Sequence, residues 1–184
     1  MRVLDGIDAK LARWIGKQPM FFIATAPLDQ DKHVNVSPKG MGGTFAVLDQ
    51  YRVAYLDYFG SGAETIAHLR ENGRITVMFA AFQGKPNIVR LYGRGRVVLP
   101  EDEEFGELRT SFGKELSIGQ RAIVIVDLDR VQDSCGYAVP FMDFVADRTV
   151  LDVYMEKKGP KMFENNGNGI NAESIDGLPA LPKT

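Results

Sequence analysis

The chain has 184 residues, of which 45% are hydrophobic and 25% are charged. These values predict one globular domain over residues 1–184 with a full core. The net charge of −2 argues against nucleic acid as a partner, because nucleic-acid-binding domains carry a basic excess. A single cysteine, Cys135, excludes an internal disulfide, and no apolar run approaches the roughly 20 residues that cross a membrane. We therefore expect a soluble, cytoplasmic protein without membrane association.

Hydrophobic periodicity divides the chain into strand and helix patterns. In chain order these are a helix over 7–17, strands over 20–26, 33–39, 44–48 and 51–58, a helix over 61–73, strands over 75–82 and 88–99, a helix over 101–107, a strand over 122–131 and a helix over 149–158. Short polar links between strands predict antiparallel hairpins. We expect a mainly β fold. Because strands need protected edges, we expect the sheet to close fully or partly into a barrel with peripheral helices. Its barrel of six or seven strands would span about 20–130, with a helical and irregular tail over 136–184.

One strand carries a polar face. Alternation places four polar side chains together, namely His33, Asn35, Ser37 and Lys39. Val34 and Val36 fall on the other face. An amide, a hydroxyl and an ammonium in one row suit a polar ring or an anion, and the alternative is a solvated strand face. Gly40 permits close approach of another molecule, or only serves a turn.

The helix over 61–73 begins with a pattern that has two interpretations. Ser61 and Glu64 have the S-x-x-E spacing of a capping box, which explains both residues without a ligand. Alternatively, the free amides of this helix start bind a phosphate, helped by the Ser61 and Thr65 hydroxyls, with Gly62 allowing close contact. Asn72 and Gly73 predict the end of this helix.

Four residues of the strand over 88–99 share a second polar face, Arg90, Tyr92, Arg94 and Arg96. Three guanidinium groups in a row indicate either an anionic ligand or partner, or an exposed sheet edge protected from aggregation by its charges.

Several catalytic signatures are missing. His33 and His68 have no metal-ligand spacing, so we predict no metal site. We expect Cys135 to act as a small buried hydrophobe. The sequence lacks the dinucleotide-binding glycine motif, the P-loop and the nucleophile elbow. If the protein is an enzyme, a bound cofactor carries the reaction.

An ordered set of segments resembles the pyridoxamine 5'-phosphate oxidase-like FMN-binding split-barrel proteins, in an uncharacterised branch. The segments are F-F-I-A-T-A (21–26), H-V-N-V-S-P-K-G (33–40), V-A-Y-L-D-Y-F-G-S-G-A-E-T (53–65), H-L-R-E-N-G-R-I-T-V-M-F (68–79), L-Y-G-R-G-R-V (91–97) and, in the tail, N-A-E-S-I-D-G-L-P-A-L (171–181). The segments cover the predicted barrel and follow one another in the family's order. No single segment is decisive for the resemblance.

The resemblance implies a split β-barrel that forms a homodimer with FMN at the subunit interface. The flavin would lie along the strand that contains Asn35, Val36, Ser37, Lys39 and Gly40, with Asn35, Ser37 and Lys39 bonding the ring or the ribityl chain. Its phosphate would lie near Ser61, Gly62 and Thr65, and Arg90 would add positive charge.

The chain departs from the family pattern in two places. Gly62 and Ala63 stand where the oxidases have a basic pair, so either the phosphate affinity is lower or Lys39 or an arginine supplies that charge. The arginine-rich C-terminal motif for pyridoxal is absent, which argues against vitamin B6 oxidation.

Our first hypothesis is an FMN-dependent oxidoreductase that passes hydride between the flavin and an unknown small molecule. The alternatives are a non-enzymatic flavin- or haem-binding module and a deazaflavin-dependent reductase. The aromatic residues Tyr137, Phe141 and Phe144 either cover the partner's site or pack in the core.

Overall fold

A computed structural model describes residues 1–60, 62–159 and 171–182. The described residues form eight strands: β1 (Arg2–Leu4), β2 (Met20–Thr25), β3 (Asn35–Gly40), β4 (Phe45–Asp49), β5 (Arg52–Tyr58), β6 (Arg74–Ala80), β7 (Ile88–Val98) and β8 (Gln120–Ser134). They also form four helices: α1 (Ala9–Ile15), α2 (Glu64–Asn72), α3 (Phe105–Arg109) and α4 (Val150–Lys158). No described helix is both long and apolar enough to span a bilayer.

The strands form one curled antiparallel sheet in the order β3-β2-β6-β7-β8-β5-β4, with β1 paired to β8. β3 and β4 end this order, so the barrel is open between them. β8 is long because it pairs with β1, β5 and β7 along its length. The predicted mainly β split barrel is confirmed, as is the β4–β5 hairpin.

The inner face of the sheet is apolar. β2, β5, β6, β7 and β8 contribute its fully buried side chains, which include Phe21, Ile23, Tyr55, Val77, Leu91 and Val124. Each buried apolar side chain of this size stabilises the fold by about 1.5–3 kcal/mol. A second cluster on the other face of β5 and β8 contains Leu56, Tyr58, Phe112 and Ile123. Helix α2 packs through Ile66 and Ala67 against the tail residue Ala180.

Two local predictions differ from the structure and a third agrees with it. β1 was not predicted, since three residues show no periodicity and pairing with β8 alone makes them a strand. α3 begins later than residue 101, because Asp102 Oδ2 accepts a hydrogen bond from Leu99 N at 2.7 Å and stabilises a turn first. The predicted end of α2 is confirmed, since Gly73 has φ +71° and donates to Leu69 O.

For the segment after β8, one burial prediction was wrong and one of two open alternatives is excluded. Cys135 is exposed, because β8 ends at Ser134 and this residue already lies outside the sheet. Tyr137, Phe141 and Phe144 are 83%, 83% and 53% exposed, so they do not pack in the core.

Candidate functional site

The polar face of β3 points into the barrel. Pairing with β2 sets Asn35, Ser37 and Lys39 opposite the buried Thr25, Ile23 and Phe21, and opposite residues of an antiparallel pair share a face. The two valines of the other face, Val34 and Val36, are 69% and 63% exposed. A solvated polar face, the alternative left open by the sequence, is therefore wrong for these three residues. His33 precedes β3 and is exposed, and its Nδ1 lies 2.8 Å from Asp176 Oδ1.

Asn35 and Ser37 are engaged inside the protein. Asn35 Nδ2 donates to Thr25 Oγ1 at 3.1 Å and to Thr65 Oγ1 at 3.0 Å, and Ser37 Oγ donates to Asn35 Oδ1 at 2.9 Å. These bonds tie β3 to β2 and to the first turn of α2. They hold β3 rigidly, so that Lys39, two residues further along the same face, has a fixed position.

His68 extends this network. Its Nδ1 lies 2.9 Å from Thr25 Oγ1, while Nε2 is buried and has no hydrogen-bond partner within the described residues. Burial lowers the pKa of His68 below its ordinary value. The imidazole is therefore neutral near pH 7 and acts as a packed, hydrogen-bonded core residue.

A buried ion cluster joins β3, β5 and β8. Asp57 Oδ1 accepts a hydrogen bond from Lys39 Nζ at 2.7 Å, and Oδ2 accepts one from Arg121 Nε at 2.6 Å. Arg121 Nη1 also donates to Asn171 Oδ1 of the tail at 2.7 Å. Burial by itself would raise the pKa of Asp57, but the two cations more than offset it and the pKa is lowered. With two cations and one carboxylate, the cluster carries one surplus positive charge.

Tyr55 lies beside this cluster. Lys39 Nζ lies 5.9 Å from the centre of the Tyr55 ring, within reach of a cation–π interaction. The Tyr55 hydroxyl is buried and has no hydrogen-bond partner in the described part of the chain. Burial raises its pKa well above the ordinary value, so the phenol is neutral.

A cavity of about 680 Å³ opens next to the ion cluster. Lys39 and Gly40 of β3 form one wall, Phe59 and Gly60 after β5 form another, and residues 142–148 form a third. Its apolar lining includes Met41, Leu56, Tyr58, Phe82, Met142 and Phe144. The volume lies in the usual range for cofactor and substrate sites, and apolar walls with a few charged groups are typical of them.

Among the described residues, four charged ones line this cavity. Two are cations, Lys39 and Arg148, and two are carboxylates, Asp143 and Asp147. Asp143 Oδ1 accepts a hydrogen bond from Gln83 Nε2 at 3.1 Å, and Asp147 Oδ2 accepts one from Gly42 N at 2.9 Å. These hydrogen bonds tie both acidic residues to the protein and fix the 142–148 segment over the cavity.

Of the described residues of the predicted phosphate turn, neither Gly62 nor Thr65 lines the cavity. Ser61 lies outside the described residues, as does part of the tail predicted over 136–184. The N-cap of α2 is Ala63, without a side-chain cap, so the predicted capping box is wrong. The Glu64 carboxylate instead folds over Gly62 and accepts a hydrogen bond from Ile175 N of the tail at 3.3 Å. Thr65 is buried and bonded to Asn35.

Arg90 is also separate from the β3 residues. It pairs with Met78 and lies between the buried Val89 and Leu91, so its side chain is on the outer face of β7. There Nη1 donates to Ser134 Oγ at 3.1 Å.

The other arginines of that face are engaged as well. Arg94 Nη1 donates to Asn72 O at 2.6 Å, and Arg96 forms an ion pair with Glu104. β7 lies between β6 and β8, so the interpretation of this face as a sheet edge is wrong.

Sequence reasoning missed Asp57, Arg121 and Arg148. Asp57 and Arg121 are charged residues inside otherwise apolar strand patterns, V-A-Y-L-D-Y and R-A-I-V-I-V. Because unpaired charges are rarely buried, that placement is a signal for a buried ion pair. Arg148 lies in an irregular segment where no periodicity marks it.

The fold and sequence match known proteins. A family model described as pyridoxamine 5'-phosphate oxidase matches residues 7–135. The pyridoxamine 5'-phosphate oxidase family protein ustO of Aspergillus flavus is 44% identical over 198 residues, covering 96% of this chain and 76% of that protein.

Among solved structures, HupZ of Group A Streptococcus is similar with a TM-score of 0.52 and 17% identity, covering 69% of this chain and 93% of that one. An FMN-binding protein of Syntrophomonas wolfei subsp. wolfei has a TM-score of 0.51 and 14% identity, covering 68% of this chain and 82% of that one. At these identities the two structures show a shared fold. The family model and the Aspergillus relative go further and show that this chain belongs to the pyridoxamine 5'-phosphate oxidase family.

Proposed function

We propose that the protein binds FMN in the 680 Å³ cavity beside Lys39 and acts as an oxidoreductase on a small molecule. The observation that carries this proposal is the cavity itself, which joins apolar walls to a fixed cluster with one surplus positive charge. Family membership and the FMN-binding protein of the same fold support it. When bound, the flavin supplies hydride transfer.

The residues around the cavity fit the parts of this cofactor. Met41, Phe82 and Tyr58 offer apolar surface to a planar ring. Lys39 and Arg148 are the cations that face the same space and would hold the phosphate. Glu64 folds over the turn at Gly62, and a carboxylate there repels phosphate. The cavity also has two carboxylates, Asp143 and Asp147, but these are hydrogen-bonded to Gln83 and Gly42. We therefore assign the phosphate to Lys39 and Arg148 rather than to the start of α2.

The chain's own residues orient the cofactor. The hydrogen bonds of Asn35 and Ser37 fix β3, and Asp57 holds the Lys39 ammonium in place. The segment over 142–148 supplies one wall of the cavity. Neither His33, His68 nor Cys135 lines this cavity, so it offers no imidazole or thiolate of this chain to a haem iron.

We expect Lys39→Ala to weaken FMN binding about 10- to 100-fold, because a hydrogen bond to a charged group contributes about 1.5–3 kcal/mol. Titration of the flavin-free protein, followed by flavin fluorescence, measures the affinity. Riboflavin, which lacks the phosphate, is expected to bind both forms with similar affinity. Lys39→Arg keeps the charge and should retain most of the affinity, and Lys157→Ala on the exposed face of α4 is the matched control.

Unchanged FMN affinity in Lys39→Ala would move the phosphate away from Lys39. A protein that binds neither FMN nor riboflavin would contradict the flavin site as a whole. If FMN binds but no nicotinamide cofactor reduces it and no substrate reoxidises it, the binding module is the better description. A preference for deazaflavin over FMN in the same titration would identify that cofactor instead.

We also propose that two chains form a homodimer through β3. This strand ends the sheet order and carries the exposed Val34 and Val36 on its outer face, an arrangement that favours pairing with another surface. Light scattering after gel filtration is expected to give the mass of two chains. Val36→Lys should shift the mass toward one chain, and a dimer that persists unchanged would place the interface elsewhere.

A further inference from the structure

A second cavity, of about 630 Å³, adjoins the first. It lies at the barrel end where α1 stops and β2 begins. The two cavities share seven wall residues, namely Pro19, Gly40, Met41, Phe82, Met142, Phe144 and Asp147. A molecule in the second cavity is therefore separated from one in the first by single side chains at most.

The walls of the second cavity are rich in aromatic rings. Phe21, Phe45 and Phe79 pack together at its base, with the Phe45 ring centre 5.0 Å from that of each of the other two in edge-on contacts. Trp14 and Phe82 line it as well. Aromatic rings prefer edge-to-face or offset contacts with other rings, so this cavity favours a planar aromatic ligand over a saturated one.

Charge at the rim favours an anion. Lys17 and Lys85 line the cavity and are exposed. The third charged residue of its lining, Asp147, already accepts a hydrogen bond from Gly42 N. Two ammonium groups against one engaged carboxylate give this rim a positive balance.

The segment over 142–148 is held over both cavities. Met142 N donates to Phe82 O at 3.0 Å, and Asp147 is tied to Gly42. Although they line the cavities, Met142 and Phe144 are 55% and 53% exposed. A ligand below them would cover this apolar surface, which is favourable by about 25 cal/mol for each Å² removed from water.

We infer that the second cavity binds the substrate of the flavin site and that this substrate is an aromatic acid. The ring would contact Trp14 and the phenylalanine base, and the carboxylate would face Lys17 and Lys85. This inference rests on the proposed function, since it places the acid next to the flavin cavity.

The test is isothermal titration calorimetry of the protein saturated with FMN. The ligand is 3-phenylpropionate, and the matched compounds are 3-phenylpropanamide, which lacks the charge, and 3-cyclohexylpropionate, which lacks the aromatic ring. We expect the acid to bind without releasing FMN on gel filtration. The amide and the cyclohexyl acid should each bind about five-fold more weakly, in line with exposed charge pairs and aromatic contacts.

Variants that line only the second cavity locate the binding. Trp14→Leu and Lys85→Ala should each weaken 3-phenylpropionate binding about five-fold or more, whereas Tyr154→Leu and Lys157→Ala on α4 should not change it. Circular dichroism confirms that each variant is folded.

Three results would overturn the inference: equal affinity for acid and amide, no loss in Trp14→Leu, or displacement of FMN by the acid. If FMN itself does not bind, the same titration of the flavin-free protein still tests the aromatic-acid cavity. The two proposals therefore fail separately.

Discussion

Asp57→Asn is expected to lower the free energy of unfolding by about 3–5 kcal/mol, the usual cost of removing one partner from a buried ion pair. Asp57 is 1% exposed and accepts hydrogen bonds from both Lys39 and Arg121. Without its charge, Arg121, which is 6% exposed, remains as an uncompensated buried cation. Urea denaturation of the wild-type and variant proteins measures the difference.

Asp127→Asn is the matched control. Its ion pair with Arg52 is half exposed, with side-chain exposures of 51% and 48%, so we expect a loss below about 1 kcal/mol. A similar small loss for Asp57→Asn would show that the buried cluster does not stabilise the fold.

Asp57 also predicts how the stability of the protein depends on pH in the acidic range. The folded pKa of Asp57 is lowered, because Lys39 and Arg121 outweigh the burial that would raise it. Its contribution to stability is therefore fully present above the ordinary pKa of about 3.9 and is lost as the pH falls through the lower, folded pKa. In Asp57→Asn this part of the acid dependence should be missing, which urea denaturation at a series of acidic pH values detects.

Gly93→Ala is expected to destabilise the protein by about 3 kcal/mol or more, at the upper end for overpacking. A Cβ at this position would meet the carbonyl oxygen of Asp127 and lie 2.9 Å from its carbonyl carbon and 3.0 Å from Leu128 Cα. These are backbone atoms of β8, opposite an irregularity in the β7–β8 register between Tyr92 and Gly93. They cannot move without breaking the central strand pairing. Thermal unfolding and urea denaturation give the loss.

Gly106→Ala provides the opposite control. This glycine is in α3 and a Cβ there has no neighbour within 4 Å, so alanine should stabilise the protein by about 0.5–1 kcal/mol through backbone entropy. If Gly93→Ala is neutral, β7 and β8 do not approach as closely at that point as the structure indicates.

Local sequence patterns were sufficient to predict those strands and helix ends that are determined by a few neighbouring residues. The apolar run that forms β2 and the end of α2 at Asn72 and Gly73 were predicted near their observed places. Apolar periodicity and a left-handed glycine act over a few residues, so they can be read from the chain. β1 was missed because its only cause is pairing with β8, about 130 residues away.

The site was predictable only in part, for the same reason. Alternation showed that Asn35, Ser37 and Lys39 share a face, but it gives no information on which face is buried. Pairing with β2 decides that. Asp57 and Arg121 are 64 residues apart, and they bond because β5 pairs with β8. The bond from Lys39 to Asp57 needs in addition the curl of the sheet, because β3 pairs only with β2.

The sequence by itself determined the family, the mainly β fold and the polar residues of β3, because ordered segments and period-2 patterns are properties of the chain alone. The tertiary structure alone decided that these residues face inward and that Arg90 lies on the outer face of the sheet. It also decided that Lys39 borders a cavity that residues 142–148 help to line. Those facts depend on long-range packing, in which a residue's partners are set by strand order and not by its neighbours in sequence.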